Sequence, residues 1–306
     1  MNRQRKAWYK NRLAMEKDCW GDAGSHRPST RDRVISALSQ CLKVTGLYRR
    51  GVHNALDLQL SRLELGFSNL PSAFDGFSIL QLSDPHFGAL AGTTERMLQL
   101  VSGLRPDLVV LTGDYRNEDY NNYEYVLPPL QELTTALSPR HGIWAILGNN
   151  DCAAMVEPME DIGIKILINE TGIIEQDGES LYITGVDDVH AFHTEAAPEA
   201  MKNAPQGFKI ALVHSPELAD SAAAYGYHLY LTGHTHGGQI ALPGGVPVIT
   251  NIKCPRRYAS GLWRHGAMVG YTSSCVGTSV VPLRFNTRGE VVLIRLRCGA
   301  PQKSDT

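Results

Sequence analysis

The stretch Gly233-His234-Thr235-His236-Gly237-Gly238 decides how this chain is read. Two imidazoles one residue apart, set among glycines, mark a tight turn, and the apolar run Leu229–Leu231 just before it reads as a buried strand. Four places upstream repeat the arrangement. Asp84-Pro85-His86 follows Phe77–Leu82, and Gly113-Asp114 follows Leu108–Leu111. Gly148-Asn149-Asn150-Asp151 follows Ile143–Leu147, and a lone His214 follows Ile210–Val213. Short apolar runs closed by Gly, Asp or His indicate parallel strands whose carboxyl ends deliver polar side chains to one crevice. Taken singly, each piece has a plain structural reading: His214 as a hydrogen-bonded core residue, Asp114 as a helix cap, Asn149 and Asn150 as turn residues. Packing does not account for all five at one edge.

The residue types then narrow the chemistry. Two adjacent divalent cations need hard oxygen ligands, imidazoles, and one carboxylate that serves both. Asp84, His86, Asp114, Asn149, His214, His234 and His236 supply about four protein ligands per ion and leave positions open for water and substrate. Ions ~3.5–4 Å apart lower the pKa of a shared water and clamp the oxygens of an in-line displacement, which suits phosphoryl chemistry. Mixed His and carboxylate ligands accept Mn²⁺, Fe²⁺ or Zn²⁺.

This ordered set resembles the calcineurin-like metallophosphoesterase superfamily, whose blocks are D-x-H, G-D-x-x, G-N-H-[DE], a lone H and G-H-x-H. The resemblance covers roughly residues 75–296. It implies a four-layer α/β/β/α sandwich of two mixed sheets, with the metals at the strand ends. It gives Asp84, His86 and His236 to one metal and Asn149, His214 and His234 to the other, with Asp114 bridging and Asp151 orienting a ligand. The blocks Gly237-Gly238-Gln239-Ile240 and Gly277-Thr278-Ser279…Pro282-Leu283-Arg284-Phe285 are similar to the branch holding YkuE- and YaeI-type phosphohydrolases and a lipid A pyrophosphatase.

One departure bears on mechanism. Position 150 is Asn where most relatives have the His assigned to the leaving oxygen or the phosphoryl charge. Asn donates no proton at neutral pH, so general acid help worth ~10²–10⁴-fold is missing. The loss is least for a phosphate or aryl oxide leaving group. The expected reaction is therefore attack of a metal-bridging hydroxide on a phosphodiester or pyrophosphate, with Asn150 and Asp151 at the catalytic position. UDP-2,3-diacylglucosamine is one such substrate. The alternatives are a broad phosphomonoesterase or nucleotide phosphodiesterase, with His190, His193 or His141 replacing the absent His, and a metal-binding scaffold on a degenerate fold. Arg256, Arg257 and Arg284 are candidate phosphate contacts, since Arg suits bidentate phosphate binding. His190 and His193 lack a motif and are expected to be exposed.

Composition sets the outer limits. The 306 residues, 43% hydrophobic and 20% charged, fit one large α/β domain with an extension, or two small domains. The net charge of −2 conceals an asymmetry, because residues 1–50 hold twelve Lys and Arg against four Asp and Glu. They carry +8 and the remainder −10. Residues 1–51 read as a basic arm, either solvated or held at an anionic membrane surface, with Val34, Ile35, Leu38, Cys41 and Leu42 on one helical face. Residues 52–76 read as a lead-in with an edge strand from Leu56 to Leu65, residues 77–298 as the catalytic domain, and 299–306 as a frayed tail. No apolar run is long enough to span a bilayer. The six cysteines lack C-x-x-C spacing and read as reduced thiols, which points to a cytoplasmic protein, peripheral at the inner membrane surface if the arm binds there. No dense basic patch interleaved with aromatics suggests nucleic acid as a partner; a phosphate-ester or nucleotide-linked small molecule, lipid-linked or not, fits better. Helices are expected at Thr93–Leu104, Asn122–Leu137 (kinked by Pro128 and Pro129), Met155–Ile162 and Pro216–Tyr225.

Overall fold

The computed structural model describes residues 3–20, 42–117, 122–247 and 249–299. Two six-stranded mixed sheets form its centre. The first contains β1 (Gln59–Phe67), β2 (Ser78–Leu82), β3 (Leu108–Leu111), β4 (Ile143–Ala145) and β5 (Ile164–Ile166). The second contains β6 (Glu170–Gln176), β7 (Glu179–Gly185), β8 (Phe208–Leu212) and β9 (Leu229–Thr232). A two-residue pair, β10 (Ala241–Leu242) and β11 (Val246–Pro247), stands apart. The chain then adds β12 (Gly261–His265) and β13 (Met268–Thr272) to the second sheet and returns to the first with β14 (Glu290–Cys298). The spatial orders are β1-β14-β2-β3-β4-β5 and β12-β13-β9-β8-β7-β6.

Alternation along the strands builds the layers. In β3, Leu108 and Val110 point into the core between the sheets, while Val109 and Leu111 face the outer helices. A strand buried on both faces has no polar side, which is why these segments read as continuous apolar runs. The helices number α1 (Arg3–Trp20), α2 (Leu47–Leu56), α3 (Thr93–Val101), α4 (Leu127–Ala136), α5 (Val156–Asp161), α6 (Ala196–Lys202) and α7 (Ala219–Ala224). Met97, Val101, Leu130, Leu133, Val156 and Met159 of α3, α4 and α5 cover the outer face of the first sheet. Ala197, Met201, Ala219 and Ala222 of α6 and α7 cover the second. The result is the expected α/β/β/α sandwich of two mixed sheets.

Topology places the chemistry. Strands β2, β3 and β4 run parallel, as do β7, β8 and β9. All five polar blocks leave the carboxyl ends of β2, β3, β4, β8 and β9.

Local differences have physical causes. Leu56 closes α2 instead of opening a strand, and the edge strand begins at Gln59 and pairs parallel with β14. Helix α4 starts at Leu127, so Pro128 and Pro129 occupy its first turn, where a missing N–H costs nothing, and no kink results. Residues 3–20 are not a solvated arm. They form α1, whose stripe Arg5, Trp8, Arg12 and Glu16 bonds to the sandwich. The amphipathic segment expected around Val34–Leu42 falls almost wholly outside the described residues. Among the described residues no helix is long and apolar enough to cross a membrane, and the five described cysteines are free thiols.

Candidate metal centre

The backbone at the strand ends is unusual before any side chain is considered. Asp84, His86, Asp114, His234 and His236 all have φ between 41° and 67°, in the left-handed region. Non-glycine residues there cost roughly 1–3 kcal/mol each and persist only where surroundings over-determine them, a pattern typical of functional sites. Two glycines permit the close packing this requires. A Cβ on Gly148 would lie 2.2 Å from Asp114 Oδ1, and one on Gly233 would lie 2.3 Å from Asp84 Oδ2.

Hydrogen bonds fix the orientation of each of these four imidazoles. His86 Nδ1 donates to Arg116 O (2.8 Å), His214 Nδ1 to Thr112 O (2.8 Å) and His236 Nδ1 to Gly277 O (3.3 Å). For His86 and His236 this leaves the Nε2 lone pair facing the crevice; His214 Nε2 faces it too, with a proton that an arriving cation would displace. His234 is reversed: its Nε2 donates to Asn251 O (3.0 Å), leaving Nδ1 inward. A backbone carbonyl behind each ring is the usual device for orienting a metal-binding His.

These nitrogens converge. His86 Nε2 lies 3.2 Å from His236 Nε2, and His234 Nδ1 lies 3.2 Å from His214 Nε2. Asn149 Oδ1 is 3.1 Å from His214 Nε2. The facing lone pairs of His86 and His236 repel at 3.2 Å unless a cation sits between them, whereas the His214 Nε2 proton holds its neighbours together until a cation replaces it. Asp114 Oδ2 stands 3.6 Å from His86 Nε2 and 3.5 Å from His214 Nε2, midway between the two sets. Asp84 Oδ2 accepts from Ser83 Oγ and from His234 N, whereas its Oδ1, fully buried and 3.5 Å from His236 Nε2, has no hydrogen-bond partner. Three groups have ligand atoms close enough to share an ion: Asp84–His86–Asp114, Asp114–His214–His234 and Asp84–His236–Cys275. The donor set fits two divalent cations, with Asp114 common to both.

The electrostatics agree. Burial acts to raise the Asp114 carboxyl, but the His214 charge and hydrogen bond outweigh it and hold the group well below the usual carboxylate range. Burial likewise opposes ionisation of Asp84, and His214 and His236 overcome it. Burial pushes His236 down to about 3, and burial with the neighbouring His214 lowers His234, so both are neutral donors. His214 moves the other way. Burial would lower it, but Asp114 and Asp84 raise it well above the ordinary value, so an arriving cation must displace a proton.

Asn150 and Asp151 support the ligands from behind. The Asn150 backbone N donates to Asp114 Oδ1 (2.8 Å) and its Nδ2 to Asp114 Oδ2 (2.7 Å). The fully buried Asp151 carboxylate accepts from the backbone N of Asp114 (2.7 Å), Gly148 (2.8 Å), Tyr115 (2.9 Å) and Arg116 (3.2 Å).

The arginines differ from expectation. Arg284 is fully buried and donates to the carbonyls of His236, Ser274, Cys275 and Gly277, so it braces the His236 turn and is not offered to a phosphate. Arg256 reaches Pro247 O, and Arg257 lies over the Tyr258 ring; both are exposed. His190 is also placed differently, since it is largely buried against His234 with ring centroids 4.3 Å apart. Its Nδ1 lies 2.8 Å from Glu217 Oε1. His193 is exposed, and His141 precedes β4 at the opposite end of the strands. Cys275, buried with φ 67°, stands beside Asp84 and His236, and no sequence motif announced it.

Fold and site together define a metallophosphoesterase architecture: parallel strands from two back-to-back sheets feed carboxylates and oriented imidazoles to clusters that could hold metal ions. Residues 77–238 match the family model for calcineurin-like phosphoesterases, and the chain belongs to that family. It is similar to the uncharacterized metallophosphoesterase YkuE of Bacillus subtilis (strain 168), at 30% identity over 75% of this chain and 82% of that one. Phosphodiesterase YaeI of Escherichia coli (strain K12) is 28% identical over 72% and 82%. A transmembrane protein with a metallophosphoesterase domain from Danio rerio is 27% identical over 90% of this chain and 64% of its own length. The protein is thus a hydrolase of phosphoric esters.

Proposed function

We propose that the enzyme cleaves a phosphodiester or pyrophosphate whose leaving group departs without a proton from position 150. The observation carrying this reading is Asn150, whose backbone N and side-chain Nδ2 both donate to Asp114 and which has no acidic proton to give. Held by Asp84, His86, Asp114 and His236 on one side and by Asp114, Asn149, His214 and His234 on the other, two divalent cations would supply a nucleophile from water and neutralise charge on the phosphoryl oxygens. The chain's own part is preorganisation. Carbonyls behind the four rings hold their orientation, and Asp151 and Asn150 hold Asp114 where both sites need it. A phosphate or aryl oxide then leaves with little proton help. A lipid-linked nucleotide such as UDP-2,3-diacylglucosamine is a substrate of this type. Arg3, Lys6 and Lys10 on the exposed face of α1 would bring the enzyme to an anionic membrane surface where such a substrate lies.

His190 supports a second reading, a broad phosphomonoesterase or nucleotide phosphodiesterase, because it alone of the three substitute histidines reaches the ligand cluster. Rates on p-nitrophenyl phosphate, bis-p-nitrophenyl phosphate, glycerol phosphate and UDP-2,3-diacylglucosamine with added Mn²⁺ separate the two. The first reading expects the anhydride and aryl diester to be turned over and glycerol phosphate to be left. Fast release of phosphate from glycerol phosphate would refute it.

A further inference from the structure

Helix α1 packs Trp8 and Trp20 half-buried against the core, yet its fully buried side chains are charged, Arg12 and Glu16, and Arg12 at 1% exposed is among the largest buried side chains. Burying a guanidinium requires partners for its hydrogens, and they lie at the metal loop. Arg12 Nη2 donates to Asp151 O (2.8 Å) and Gly148 O (3.3 Å), the two carbonyls that bracket Asn149 and Asn150. Nη1 pairs with Asp187, and Nε reaches Glu16 Oε1 (3.1 Å) one turn along the helix. Glu16 Oε1 also accepts from Ala153 N (2.7 Å), two residues beyond Asp151. Trp8 Nε1 donates to Asp187 Oδ2 (2.6 Å), and the guanidinium stacks on Phe192 at 3.5 Å. One helical stripe therefore grips the outside of the 148–153 segment, whose inside carries the ligand Asn149 and the two residues that hold Asp114.

We infer that α1 is a built-in clamp on the metal loop and that Arg12 is a positioning residue for the cation held by Asn149, His214 and His234. The inference rests on the two-cation reading of the site. A planar fork is needed here: Lys presents a point charge and cannot span Asp151 O, Gly148 O and Asp187 at fixed angles. Supports of this kind are typically worth 10–100-fold in metal affinity. Arg5, on the same helix, provides the contrast, since it bonds Glu160, Glu170 and Ile166 O on α5 and β5–β6, away from the ligands.

The test is a Mn²⁺ titration of the full chain without substrate, following free Mn²⁺ by electron paramagnetic resonance. Wild type is expected to bind two ions. Arg12→Ala should keep one and release the other roughly 10–100-fold more readily, with Arg12→Lys between them. Millimolar methylguanidinium should restore the weakened site in Arg12→Ala. Arg5→Ala should lower the melting temperature and leave both affinities at wild-type values. If Arg12→Ala does not fold, the Arg12→Lys and Arg12→Gln proteins decide. Wild-type binding in the Arg12 variants, or equal weakening by Arg5→Ala, would show α1 to be a stabiliser only and overturn the inference. Failure of the wild type to bind two ions would instead remove the metal reading on which it rests.

Discussion

Asp151→Asn is the substitution that probes the site's construction most sharply. Oδ2 accepts the N–H groups of Asp114 and Gly148, and Oδ1 those of Tyr115 and Arg116. An amide keeps one oxygen and turns an NH₂ toward two of these four donors. Two buried N–H groups then lose a charged acceptor, at about 1.5–3 kcal/mol each. The full loss is therefore about 3–6 kcal/mol. Part is offset, because burial and then the Asp114 charge hold the Asp151 carboxyl above its usual value, and the amide relieves that repulsion. The lower end, about 3 kcal/mol, is expected. Near the melting temperature, unfolding entropy of ~2.1 cal/mol/K per residue gives about 0.6 kcal/mol/K for 306 residues. The metal-free variant should melt about 5 °C lower in scanning calorimetry. Because Asp114 N is among the donors, Mn²⁺ should also restore less stability to the variant than to wild type. A shift below about 1 °C with unchanged Mn²⁺ stabilisation would refute the reasoning.

Four other outcomes are expected. Gly148→Ala should abolish Mn²⁺ binding in a titration, because the new Cβ meets Asp114 Oδ1 at 2.2 Å and the backbone there has no room to give. Metal binding should release protons. His214 is raised in the metal-free fold, so it is charged below that raised pKa, and affinity should climb with pH until His214 is neutral, which calorimetry in buffers of different ionisation enthalpy will read. Asn150→His should increase turnover of glycerol phosphate relative to bis-p-nitrophenyl phosphate by tenfold or more, on the order of the ~10²–10⁴-fold worth of a general acid less the cost of the lost Asp114 bond. His190→Ala should leave bis-p-nitrophenyl phosphate turnover within about threefold if position 150 needs no proton donor; a fall of ~10²-fold confined to poor leaving groups would assign that role to His190.

The candidate ligands were legible because each follows a strand buried on both faces, and such strands announce themselves as uninterrupted apolar runs. Asp84 and His234 stand 150 residues apart in sequence, but a parallel topology brings every such carboxyl end to one edge. Hydropathy was blind to α1. Its docking stripe is Arg5, Trp8, Arg12 and Glu16, so the burial that positions it is hidden inside what reads as a basic tail. Arg284 misled for the opposite reason, since an arginine near phosphate motifs suggests anion binding, whereas this one is enclosed by four carbonyls. His190 comes from the segment after β7, where no local pattern predicts that the chain folds back over His234. Cys275 reaches Asp84 and His236 through a left-handed turn after β13, a conformation that a cysteine gives no sequence reason to expect.

Metal content of wild type beside Asp114→Ala, determined by elemental analysis after loading with Mn²⁺ and desalting, addresses the shared carboxylate directly. Two ions per wild-type chain, with both sites weakened by the single substitution, is the predicted result. One ion in wild type, or a variant that still retains two, would contradict it.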